Sequence, residues 1–163
     1  TGSAPSTDAL FDRVARMFPN ARVMNGYGTT EAGPVVFGAH PQGLARPKLS
    51  LGYPVPGLEW RLEDGPDPMQ GVLALRSKAL MPGYLNLPEE TGKRIRDGWY
   101  STGDVMRRDE NGFFFFVGRN DDMFVSGGEN IFPIEVESML GRHPAVHPAF
   151  VLPISHERMP PSR

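Results

Sequence analysis

From residue 50 to 117 a glycine turn interrupts the chain every few residues, so only short elements fit between the turns. Gly52, Gly57, Asp64-Gly65, Gly71, Gly83, Asp97-Gly98 and Asn111-Gly112 mark these breaks. The runs between them at 59–62, 72–76 and 113–117 are apolar and read as strands. Turns at this spacing suit a small sheet or distorted β-barrel. The residues 88–94 are the helix candidate here, with Pro88 near the first-turn position where proline is tolerated. Nineteen glycines and seventeen prolines exceed a fifth of the 163 residues, and their spread among apolar segments indicates turns and not disorder.

Before residue 50 the pattern is helical. Ser6 or Thr7 can cap a helix in which Leu10, Phe11, Val14, Ala15 and Phe18 recur on one face. Pro19-Asn20 stops it. Arg22-Val23-Met24 then reads as a short strand running into Asn25-Gly26-Tyr27-Gly28, the end of an α/β layered unit over 1–40. Separated from neighbouring strands, that segment would expose an apolar edge, with disorder or self-association expected. Beyond Gly118, Met123-Phe124-Val125 reads as a strand. Pro133 opens a helix striped by Val136, Met139 and Leu140 and ended by Gly141. Residues 146–152 read as an edge or bulged strand, because Pro148 removes a ladder donor. The expected class is α+β. The large domain would take residues 1–120, with the β subdomain at 50–118, and a small α+β domain would begin at 121–163. The boundary falls at the polar triplet Asn120-Asp121-Asp122.

A formal charge of −2 argues against a nucleic-acid footprint or a polybasic membrane anchor. The lack of cysteine excludes disulfides and Cys-based zinc sites. No apolar run approaches the roughly 20 residues that span a bilayer, and a cytoplasmic location is expected. His143 and His147 have a metal-ligand spacing, but Gly141 and Pro144 break the helix that would align them.

Four clusters could carry chemistry. In Asn25-Gly26-Tyr27-Gly28-Thr29-Thr30-Glu31, glycines permit close approach, hydroxyls and backbone donors can hold phosphate, and a carboxylate can hold Mg²⁺. A plain glycine turn fits the same letters. In Trp99-Tyr100-Ser101-Thr102-Gly103-Asp104, the aspartate could grip a pair of ribose hydroxyls or simply close a turn. In Gly118-Arg119-Asn120-Asp121-Asp122, the arginine could reach a ribose or phosphate. In Ser126-Gly127-Gly128-Glu129-Asn130, twin glycines let a thin chain pass the backbone.

The order and spacing of these clusters, with Gly52, Tyr53, Pro54, Pro56 and Gly57 and with Gly83-Tyr84-Leu85-Asn86 and Thr91 between them, resembles the adenylate-forming superfamily. That family includes acyl- and aryl-CoA synthetases, nonribosomal adenylation domains and luciferases. The resemblance covers Gly2 to about residue 152. It implies a ligase that joins a carboxylic acid to ATP, releases pyrophosphate and passes the acyl group from AMP to coenzyme A. Gly2, Ser3, Ala4 and Pro5 would lie along adenine, and Asn25, Gly26, Gly28 and Thr29 would line the nucleotide and acyl pocket. Tyr27 would stack on the base, Thr30 would contact phosphate, and Glu31 would hold Mg²⁺. Asp104 would grip the ribose, with Arg119 beside it. Asp121 would be the hinge of a mobile domain. Gly127 and Gly128 would line the pantetheine tunnel.

The run Ser126-Gly127-Gly128-Glu129-Asn130-Ile131 favours CoA over a carrier-protein thiol, the alternative acceptor. A non-catalytic nucleotide-binding relic is the second alternative. Two family features are not found. One is the phosphate loop ending in lysine; the other is a C-terminal lysine, since no lysine follows Lys93. Charge stabilisation of phosphoryl chemistry depends on such cations. The chain is therefore expected to be the back part of a longer enzyme, unable to adenylate alone.

Overall fold

The computed structural model describes residues 6–143, 145–146 and 149–154. The adenine-loop candidates Gly2, Ser3, Ala4 and Pro5 lie outside this set, as do Pro144, His147, Pro148 and the tail from 155. The first helix, α1 (Asp8–Met17), starts where the letters place it: the Thr7 hydroxyl accepts from the Leu10 amide at 3.3 Å. Asp8 and Asp12 on its outer face both meet Lys48. Arg22, Val23 and Met24, expected as a strand, are irregular chain. A parallel-sheet strand needs neighbours to share its ladder, and the described residues give this segment none in a sheet.

Next come two short strands, β1 (Phe37–Gly38) and β2 (Tyr53–Pro54), paired antiparallel. The main sheet follows: β3 (Glu59–Asp67), β4 (Gln70–Arg76), then α2 (Pro88–Arg94), β5 (Ile95–Arg96), β6 (Trp99–Arg108) and β7 (Phe114–Arg119). Its order is β3-β4-β6-β5, with β7 also on β6. Of the small sheet or distorted barrel expected, the sheet is found: it is open, since no pairing joins β3 back to β5 or β7. Two turns set its registers. Asp97 and Gly98 both take positive φ, joining β5 to β6 by a two-residue hairpin. At the other end, the Asp109 carboxylate accepts from the amides of Asn111 and Phe113, and Gly112 has φ +82°.

Side chains of β4 and β6 are buried on both faces. One face carries Leu73, Leu75, Tyr100 and Met106 against Val36, Phe37, Leu51 and Phe114. The other carries Val72, Val105 and Val117 against Phe132. Gly118 makes the second layer possible, because a Cβ there would stand 2.8 Å from the Phe132 ring. Phe132 leads into α3 (Pro133–Leu140), after the hairpin of β8 (Phe124–Ser126) and β9 (Glu129–Ile131). Val136, Met139 and Leu140 on α3 are exposed. Of the strand expected over 146–152, the described residues Val146 and 149–152 are irregular. In the first forty residues Met17, Phe18, Met24 and Val35 are exposed, the apolar surface anticipated there. No helix among the described residues is long and apolar enough to cross a membrane.

Candidate functional site

The sheet has a notch. β5 leaves the β6 edge after pairing with Tyr100, and β7 joins the same edge from Asp104 onward. Thr102 and Gly103 bridge the gap. Gly103 has φ +73°, and a Cβ on it would lie 2.7 Å from Arg94 Nη1 and 3.1 Å from Arg119 Nη2. The backbone conformation favours glycine here, and two guanidinium groups lie close over it.

Asp104 and Arg119 face each other directly across the β6–β7 ladder. Arg119 Nη1 donates to Asp104 Oδ1 at 2.9 Å and to the Thr102 carbonyl at 3.0 Å. The other carboxylate oxygen, Oδ2, accepts from the Tyr27 hydroxyl at 2.5 Å. Asp104 is 9% exposed, so this charge is held almost out of water by one cation and one hydroxyl. Burial first, and then the Asp104 charge, pushes the Tyr27 phenol far above its ordinary value. Tyr27 therefore remains a proton donor to Asp104 at any working pH.

The Tyr27 ring is fixed from below. It tilts against Phe37 at 5.7 Å between centroids, and its carbonyl accepts from the Val36 amide at 3.2 Å. The loop around it closes as a tight turn: Thr29 and Gly33 exchange two backbone hydrogen bonds at 3.0 Å, and the Thr29 hydroxyl accepts from the Ala32 amide. A Cβ on Gly28 would sit 2.1 Å from the Pro34 carbonyl oxygen, so this turn closes only over glycine. Arg46, which nothing in the sequence singled out, holds the loop's start. Its guanidinium donates to the carbonyls of Asn25 and Gly38 at 3.0 and 2.8 Å. Burial, and secondarily the nearby Arg22, lowers the Arg46 pKa.

Asn25, Gly26, Tyr27, Gly28, Thr29, Thr30, Asp104 and Arg119 all line one cavity of about 1440 Å³, whose far wall is α3. That is ample for a nucleotide and more, since ligand pockets commonly span roughly 300–1,000 Å³. Glu31, unlike its neighbours Thr29 and Thr30, does not line that cavity. Its Oε1 accepts from the Tyr84 hydroxyl at 2.8 Å, behind the turn that carries Thr30. Tyr84 is itself positioned by its neighbours. Thr91 accepts from the Tyr84 amide and donates to the Leu87 carbonyl, and a Cβ on Gly83 would be 2.8 Å from Thr91. The Gly83-Tyr84 letters thus encode a loop that meets Glu31, although no site role had been assigned to Tyr84.

Asp121 lies at the mouth. Its Oδ2 accepts from Arg94 Nη2 at 3.2 Å and from Arg119 Nη2 at 3.1 Å. Arg94, then Arg119, holds its carboxyl below the usual aspartate range. Gly127 and Gly128 stand apart from the cavity, as the two positive-φ residues of the β8–β9 hairpin.

The family model for AMP-binding enzymes matches residues 1–85, more than half of the chain. The chain belongs to the AMP-binding enzyme family. Among AMP-binding relatives, it is 38% identical over 164 residues to a mitochondrial medium-chain acyl-CoA ligase of Macaca fascicularis, covering 96% of this chain and 26% of the relative. It is 41% identical over 138 residues to the anthranilate–CoA ligase of Pseudomonas aeruginosa, covering 80% of this chain and 26% of that enzyme. Its fold matches that of an anthranilate CoA ligase in complex with anthranoyl-AMP, with TM-score 0.81, 29% identity and coverage of 98% and 31% of the two chains. The o-succinylbenzoate CoA synthetase of Bacillus subtilis bound to its acyl-adenylate gives the same TM-score, 0.81, at 29% identity, with coverage of 98% and 34%. The chain therefore spans between about a quarter and a third of the length of these relatives.

Proposed function

We propose that this chain supplies the ribose-gripping and hinge-bearing part of an ATP-dependent carboxylate–CoA ligase. One observation carries the reading: Tyr27, Asp104 and Arg119, far apart in sequence, meet through direct hydrogen bonds on the wall of one large cavity. Asp104 has two oxygens that can accept from vicinal hydroxyls, a match for the 2′ and 3′ positions of AMP. Tyr27 and Arg119 hold that carboxylate in one orientation before a nucleotide arrives, which lowers the ordering cost of binding. Thr30, exposed on the cavity wall, offers a hydroxyl to a phosphate oxygen. Residues 33–36, following the turn, would meet the acyl part. Residues 1–120 would belong to the large domain and 121–163 to the mobile one, with Asp121 as the pivot.

Mg²⁺ is handled by one or two carboxylates together with substrate phosphates. Glu31 offers such a hard oxygen donor, held by Tyr84 behind the turn that carries Thr30 and outside the cavity lining, so the metal role would rest on Glu31 reaching phosphates past that turn. When bound, Mg²⁺ would neutralise phosphate charge; Glu31 would anchor it and Tyr84 would orient Glu31. CoA is the preferred acceptor, supported by the CoA-ligase names of the relatives and by the Gly127-Gly128 turn.

The test is Mg²⁺-dependent nucleotide binding by titration calorimetry, with Glu31→Gln as the variant. Partners that merely orient a metal ligand are worth about 10–100-fold in metal affinity, so loss of the ligand charge should raise the Mg²⁺ requirement for ATP binding at least about tenfold. AMP binding without metal should not change. An unaltered Mg²⁺ requirement would remove Glu31 from the metal role.

A further inference from the structure

We infer that Arg94 is a positioning residue for the hinge: it latches Asp121 in the pose seen here, in parallel with Arg119. The inference rests on the reading of Asp121 as the pivot. The Asp121 carboxylate is shared between two guanidinium groups, Arg94 at 3.2 Å and Arg119 at 3.1 Å, both reaching one oxygen. Their tasks differ. Arg119 is also committed to Asp104 and the Thr102 carbonyl, on the nucleotide side. Arg94, at the end of α2, bonds Asp121 from the opposite side of the notch.

The fold makes room for this contact at a cost. Gly103, at φ +73°, is held to glycine by its backbone, and the Arg94 guanidinium lies close over it, Nη1 2.7 Å from where a Cβ would stand. A glycine at positive φ inside the longest strand weakens that strand, and here it opens the path by which Arg94 crosses to Asp121. The backbone beside the carboxylate is held as well: the Asn120 amide donates to the Gly103 carbonyl at 2.8 Å and the Asp122 amide to the Arg119 carbonyl at 3.3 Å. A swing about Asp121 would have to break the Arg94 contact, so Arg94 sets how readily the segment leaves this pose. Arg94 does not itself line the cavity.

The experiment is amide hydrogen exchange at residues 120–122 in the 163-residue chain, with Arg94→Ala, Arg94→Gln and Asp121→Asn combined in a double-mutant cycle. A partly exposed ion pair is worth a few tenths to one kcal/mol, so Arg94→Ala should speed exchange about two- to fivefold. The gain should disappear in 1 M salt and should be absent when Asp121 is already Asn. Arg94→Gln, which keeps the side chain's length without its charge, should match Arg94→Ala, and Arg94→Lys should restore part of the protection. AMP affinity should stay within about twofold of the parent in every Arg94 variant, as expected for a residue outside the cavity. Unchanged exchange, a rise spread over the whole sheet, or additive effects of Arg94 and Asp121 would overturn the latch. Failure of the parent chain to bind AMP would instead count against the nucleotide reading, leaving the exchange result to judge the latch by itself.

Discussion

Asp104→Ala should weaken AMP binding by about a hundredfold. A hydrogen bond to a charged group is worth about 1.5–3 kcal/mol, and two ribose hydroxyls would share this carboxylate. The substitution also strands its partners. Arg119 loses the oxygen at 2.9 Å and Tyr27 the one at 2.5 Å, and the Tyr27 hydroxyl stays half-buried without an acceptor of comparable strength. Asp104→Asn separates the two consequences. It keeps the shape and leaves an oxygen for one neighbour, so stability should recover more fully than affinity. Titration calorimetry reads the affinity and thermal unfolding reads the stability. Equal AMP affinity in the parent and both variants would mean that Asp104 faces something other than a ribose.

The largest stability effect is expected at Phe114. Its side chain is fully buried, stacks on Phe37 at 4.9 Å and meets Trp60 edge-on at the same centroid distance, 4.9 Å. Its backbone joins two parts of the chain: Phe114 donates to the Gly52 carbonyl at 2.9 Å, and the Leu51 amide donates to the Phe114 carbonyl at 2.8 Å. Truncating a buried phenylalanine to alanine costs about 3–5 kcal/mol. Whole domains are stable by only about 5–15 kcal/mol. At roughly 2–4 °C per kcal/mol for a chain of this size, Phe114→Ala should lower Tm by about 6–20 °C. The loss should also reach the nucleotide, since Phe37 supports the Tyr27 ring. A Tm within 2 °C of the parent, on the order of 1 kcal/mol or less, would show that the sheet and the 36–52 segment do not share this core.

Local chemistry made much of this fold legible. Thr7 as a cap, Pro88 and Pro133 at helix starts, and Asp97-Gly98 and Asn111-Gly112 as turns act through near neighbours, and each occupies the expected place. The misreadings share another cause. Trp99–Arg108 forms the central strand, yet its polar letters Ser101, Thr102, Gly103 and Asp104 read as a chemical cluster instead of a strand. Only the flanking β4 and β7 explain why Thr102, Gly103 and Asp104 are buried, with the Thr102 hydroxyl donating to the Leu73 carbonyl at 2.8 Å. Conversely, 22–24 and 149–152 have strand-like letters without strand neighbours among the described residues.

The site divided along the same line. Tyr27, Asp104 and Arg119 were visible through their motifs, and they converge. Arg46, Tyr84 and Arg94 act through contacts 8 to 53 positions away, which no local pattern announces. Tyr84 alone left a trace, in the Gly83-Tyr84-Leu85-Asn86 run. Three of the glycines expected to face ligands also have structural duties: Gly28 closes its turn over Pro34, and Gly127 and Gly128 bend a hairpin.

The most direct measurement of the central claim changes the ligand and leaves the protein intact: calorimetric titration of the chain with AMP and with its 2′,3′-dideoxy analogue. If Asp104 grips the ribose diol, AMP should bind about a hundredfold more tightly, the worth of two hydrogen bonds to a buried carboxylate. Equal affinity for the two nucleotides would contradict it.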